Sequence, residues 1–79
     1  MERMYKGVLT ESPHPTDLDV RASYMVVNAE SVYKALLSLL HQFKESEDEV
    51  RSDMYLSVYR FNSVSKKWIY ETTRRISSL

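Results

Sequence analysis

One stretch, Asn28 to Phe43, carries helical periodicity, and it dictates that this chain fold as strands built around a single helix. Stepping about 100° per residue, Leu39, Val32, Phe43, Leu36, Ala29, Leu40, Tyr33 and Leu37 fall in that order around one side of the cylinder. Ser31, Lys34, Ser38, His41 and Gln42 take the other side. Asn28 reads as the N-cap, with Glu30 placed near the positive end of the helix dipole. The apolar arc covers roughly 160°, where a helix lying on one sheet needs little more than about 100°. Tyr33 and Leu37 therefore stand at the margin, and with Leu40 they form a candidate self-association surface.

The acidic stretch that begins at Glu45 opposes the helix macrodipole, so the helix is expected to end near residue 44. Val50 and Met54 return to the apolar stripe at helical spacing, so a continuation to about residue 52 is the alternative.

The flanking segments alternate with a period of two. Met4 to Thr10 reads as a strand, followed by a loop from Glu11 to Asp19 whose Pro13-His14-Pro15 centre excludes helix. Val20 to Val27 is a second strand with Val20, Ala22, Tyr24 and Val26 on one face and Arg21, Ser23, Met25 and Val27 on the other. Both faces are partly apolar, which points to a central place in a sheet. Met54 to Asn62 and Lys67 to Arg74 are two further strands, rich in aromatic and β-branched residues. They are joined by Asn62-Ser63-Val64-Ser65-Lys66, in which Asn62 is suited to a left-handed conformation. Arg74 to Leu79 reads as strand fray or a short tail.

The order ββαββ implies an α+β fold: an antiparallel sheet of about four strands with one amphipathic helix on one face. Seventy-nine residues make a single domain, 1–79, with no cysteine to cross-link it. Stability has to come from a well-filled helix–sheet interface or from association, and a homodimer is expected.

With Leu56 and Val58 turned to the helix, Tyr55, Tyr59 and Phe61 point to the open side of the sheet. Hairpin register decides whether Trp68 with Tyr70, or Ile69, joins them. Tyrosine and tryptophan offer stiff contact area with a polar tip and are favoured in protein interfaces, so Tyr55, Tyr59, Phe61, Trp68 and Tyr70 are candidate partner-binding residues.

Net charge is zero, but it is divided along the chain. Through Val50 five basic residues meet nine acidic ones, and from Arg51 onward six basic residues meet Asp53 and Glu71. Such halves attract each other within a fold, between copies, or steer a charged partner. The acidic run Glu45, Glu47, Asp48 and Glu49 is a second candidate partner-binding feature, able to imitate nucleic-acid phosphates and cover a basic groove on another protein.

Catalytic and metal constellations are thin. His14 and His41 have no cysteine or second histidine at a ligand spacing. His41 with Glu45 reads as an exposed i,i+4 pair. One glycine cannot build a phosphate loop, and no serine sits in a nucleophile elbow. The expectation is a protein that is not an enzyme and uses no cofactor or metal. The charged N-terminal residues carry no signal-peptide pattern, and no apolar run suffices to span a bilayer, so a cytoplasmic protein without membrane contact is expected.

Two functions fit. The first is a small noncatalytic module, a regulator, inhibitor or accessory subunit, that occupies a surface on a larger protein. Small stand-alone proteins of this size are frequent in phages and mobile elements. The second is nucleic-acid binding, because Arg60, Lys66, Lys67, Arg74 and Arg75 share the hairpin of the aromatic residues. Against it stand the missing glycine-containing RNA-recognition segment and the absence of overall basicity.

Overall fold

The computed structural model describes residues 2–11, 23–46 and 50–79. Strands β1 (Arg3–Thr10) and β2 (Ser23–Ala29) precede helix α1 (Val32–Glu45), and β3 (Tyr55–Asn62) and β4 (Lys67–Arg75) follow it, ending in a 3-10 turn at Ile76–Ser78. The strands form one antiparallel sheet in the order β2-β1-β3-β4 with α1 on one face, the α+β arrangement its alternation implies. Among the described residues, no helix is long and apolar enough to cross a membrane.

β2 lies at the edge, not in the centre. Its two apolar faces have a different cause: Val27 and Ala29 are buried in the helix-side core, while Tyr24 and Val26 stand exposed on the opposite face. The centre belongs to β1 and β3, where Gly7 pairs with Met25 on one side and Val58 on the other.

Directly paired residues share a face, so Tyr5, Gly7 and Leu9 join Val27, Leu56 and Val58 beneath the helix. Ala35, Leu36, Leu39 and Phe43 meet them from above, and all four are buried. Gly7 allows this close approach: a Cβ there would lie 2.7 Å from Leu39 Cδ1. Ala35 was not part of the arc read from the sequence; it shifts the buried stripe away from Tyr33 and Leu37.

The helix starts later than Asn28. Asn28 and Ala29 are held in the sheet by pairing with Met4 and Arg3, and a helix begun at Asn28 would forfeit that ladder. Ser31 is the cap instead, its hydroxyl accepting from the Lys34 backbone N–H at 3.2 Å. Glu30 consequently lies outside the helix and pairs with Lys34 at 2.9 Å.

At the other end the helix stops at Glu45, with no continuation to residue 52. The Ser46 N–H donates to Gln42 O and Phe43 O, and its hydroxyl donates to Phe43 O at 2.8 Å. Val50 and Met54 still pack on the core, but from the connecting segment. The loop expected around Pro13-His14-Pro15 and the run Glu47, Asp48 and Glu49 lie outside the described residues.

In the β3–β4 turn the left-handed residue is Lys66, φ 59°, and not Asn62. Asn62 serves by its side chain, whose Oδ1 accepts from Val64 N and Ser65 N at 2.9 and 3.1 Å, an Asx arrangement that starts the turn. The tail is neither fray nor free: Ile76 is buried, its N–H donates to Met54 O, and Ser77 N–H donates to Ser52 O.

The charge-divided halves do meet. Arg51 binds Glu11 and Asp53, and those hydrogen bonds and charges raise its already high pKa, so it stays cationic. Within the second half itself, Arg60 pairs with Glu71 at 2.8 Å.

Candidate interaction site on the open sheet face

The aromatic side chains gather because of one irregularity. Val58 pairs with Thr72 but Tyr59 pairs with Tyr70, so Glu71 is an extra residue in β4. Such a bulge inverts the alternation beyond it. Trp68 and Tyr70 share the open face with Phe61 and Tyr59, and Thr73, in place of Thr72, lies there opposite Ser57. Unbroken alternation in β4 would have put Thr72 on the aromatic side. Glu71 instead reaches Arg60.

Cross-strand pairs fix these rings. Tyr59 and Tyr70 meet edge to face with centroids 5.7 Å apart, and Phe61 and Trp68 do so at 5.2 Å. Lys6, one strand away on β1, holds its ammonium 5.4 Å from the Tyr59 centroid and 5.0 Å from that of Trp68. Cations favour such positions over the negative face of a ring. Beside them Ser57 Oγ and Thr73 Oγ1 lie 2.8 Å apart, and Thr73 Oγ1 lies 2.7 Å from Tyr70 Oη. This hydroxyl chain satisfies the fully buried Ser57.

Four of the five aromatics that the sequence offers as candidates for partner binding, Tyr59, Phe61, Trp68 and Tyr70, thus form one cluster, and Tyr55 stands on the same face opposite Thr10. Sequence reasoning missed how far the surface extends. Register places Met4, Lys6 and Val8 of β1 and Tyr24 and Val26 of β2 on it as well. The signal was available in the alternation of Met4, Lys6 and Val8 against Tyr5, Gly7 and Leu9. Within the described strands, the charged residues on this face are Lys6 and Arg75.

Most of the basic hairpin residues are elsewhere. Arg60 pairs with Tyr5, Arg74 with Leu56 and Lys67 with Asn62, which puts them on the helix side of the sheet, and Lys66 lies in the turn. Glu45, the described member of the acidic run, is on the helix, 3.1 Å from His41. It is remote from the aromatic cluster by sheet side.

The helix margin forms a separate surface. Tyr33 is 68% and Leu37 43% exposed, and Leu40 is partly buried against the core. Tyr33 lines an open groove of about 420 Å³ with Val32, Leu36, Thr72, Arg74 and Leu79. The groove exists because α1 lies toward the β2 side of the sheet and leaves the inner face of β4 partly uncovered. Among the described residues, no group of three or more His, Cys, Asp or Glu side chains could hold a metal ion.

Comparison with protein-family models, with curated proteins and with solved structures found no match to this chain.

Proposed function

We propose that this chain is a noncatalytic protein-binding module, a small regulator, inhibitor or accessory subunit, whose working surface is the sheet face opposite the helix. The observation that carries the reading is the segregation of charge and aromatic area across the sheet. Met4, Val8, Tyr24, Val26, Tyr55, Tyr59, Phe61, Trp68 and Tyr70 share this face, and within the described strands the charged residues on it are Lys6 and Arg75. An apolar patch that spans four strands and has a few cations set among its aromatics matches the centre of a protein interface: aromatic residues enriched, charges sparse.

The same segregation counts against nucleic acid. Base stacking needs a ring face and nearby cations for the backbone. Here Lys6 already lies over the faces of Tyr59 and Trp68, and Arg60, Lys67 and Arg74 are on the other side of the sheet. Arg60 is also paired with Glu71.

The test compares wild type with Tyr70→Glu, a change at an exposed position, in two assays. Proteins retained on the immobilised wild type and lost on Tyr70→Glu support the reading. Identical capture by both, or salt-sensitive binding of mixed-sequence oligonucleotides that Tyr70→Glu abolishes, overturns it.

A further inference from the structure

The two edges of the sheet are built differently. β4 carries the devices that keep an edge from pairing with another chain: a bulge at Glu71 and the charges Lys67, Glu71, Arg74 and Arg75. β2 carries none of them. Ser-Tyr-Met-Val-Val-Asn-Ala has no charge, no proline and no glycine, pairs with β1 in unbroken register, and has no second neighbour among the described strands. Its side chains Tyr24 and Val26 are 67% and 45% exposed.

We propose that β2 is the self-association edge of this protein, where a second copy pairs antiparallel about a two-fold axis through Val26 to make one continuous eight-stranded sheet.

The strand is self-complementary in that register. Val26 faces its own copy, Tyr24 lies opposite Asn28 of the second molecule, and Met25 lies opposite Val27. A two-fold interface requires such reciprocity, the same patch meeting itself with residue i against j and j against i. No like charges are brought together, because β2 has none.

Tyr33 and Leu36 line the groove toward β4, so by helical periodicity Ser31, Ser38 and Gln42, bordered by Lys34 and Glu45, occupy the flank toward β2. On it Gln42 Nε2 donates to Ser38 Oγ at 3.4 Å, and the bordering Lys34 and Glu45 are paired with Glu30 and His41. The occupant is a second copy and not a foreign strand, because the uncharged strand sets apolar residue against apolar residue when it meets itself, Val26 against Val26 and Met25 against Val27. The inference is independent of what the aromatic face binds, although the paired sheet joins two such faces through Tyr24 and Val26.

The test is molar mass by light scattering over about 10 to 500 µM protein, since association makes mass depend on concentration. Four samples are compared: wild type, Val26→Lys, Val26→Glu, and the last two mixed. Val26 is exposed, so both variants should keep the wild-type circular dichroism spectrum. The expected result is wild type moving to twice the 9.3 kDa chain mass, each variant remaining at the single-chain mass, and the mixture recovering the doubled mass as Lys faces Glu across the axis. A wild type that stays monomeric throughout overturns the proposal. So does a dimer that survives both substitutions but is lost in Leu37→Glu, which would place it on the helix margin. Variants that are monomeric alone and remain so when mixed also overturn it, because residue 26 would then not meet its copy. None of these results bears on protein capture by the aromatic face, so the two ideas fail separately.

Discussion

Replacing Gly7 with alanine tests whether helix and sheet are as close as described. Gly7 sits in a central strand, and its backbone is not in the left-handed region, so alanine meets no conformational penalty. The obstacle is space: the new Cβ would lie 2.7, 2.9 and 3.1 Å from Leu39 Cδ1, Cδ2 and Cγ. Carbon atoms settle at about 3.5 to 4.0 Å, so Leu39 must retreat by about 0.8 Å or more. It is completely buried between Leu36, Phe43 and the sheet, and its three nearest atoms move together, so rotation of one methyl cannot relieve the clash. Overpacking of this kind costs about 1 to 3 kcal/mol, and the reduced freedom of the unfolded chain returns about 0.4 to 1. The net expectation is a loss of about 1 to 2 kcal/mol in urea unfolding. Leu39→Ala alone should cost about 2 to 5 kcal/mol by leaving a cavity. The double variant should be more stable than the sum of the two losses by about 1 kcal/mol or more, because the alanine methyl enters the space that Leu39 vacated. A Gly7→Ala protein as stable as wild type, or additive losses in the double variant, would refute the close contact.

Three further outcomes follow from particular side chains. Ser31→Ala should cost about 0.5 to 2 kcal/mol in urea unfolding by removing the helix cap, whereas Asn28→Ala should change stability by less than Ser31→Ala because Asn28 is a strand residue; the reverse ranking would restore the cap to Asn28. Ser57→Ala removes the buried start of the Ser57–Thr73–Tyr70 hydroxyl chain and should cost about 1 kcal/mol, with no measurable loss contradicting that chain. Lys6→Met withdraws the cation from Trp68 and Tyr59, worth about 0.5 to 1 kcal/mol at a partly exposed site, and should alter the emission of the single tryptophan; an unchanged spectrum would argue that Lys6 does not lie over the indole.

The element order and the aromatic face were legible in the sequence, for a physical reason: period-two and period-3.6 patterns are imposed by burial on one side, and burial is what the order of elements records. Where local signals competed, the chain alone was ambiguous. Asn28 and Ser31 are both good caps, and only pairing with Met4 assigns Asn28 to the sheet. β2 looked central because apolar residues on two faces read the same whether both are covered or one is left open. The bulge at Glu71 has no glycine to announce it, so the place of Thr73 beside Ser57 was hidden. Ile76 reads as part of a tail in the sequence because a lone apolar residue carries no period. Lys6, a charged residue in a central strand, gains meaning only when Tyr59 and Trp68 are brought beneath it.

The most direct test of the central claim is site-specific photo-crosslinking in the cells that make the protein, with a benzophenone amino acid in place of Tyr70 in one sample and of Tyr33 in the other. Both positions are exposed, and they lie on opposite sides of the sheet. The account predicts a discrete adduct with another protein from position 70 and none from position 33. An adduct from position 33 alone, or crosslinks from position 70 to nucleic acid, would contradict it.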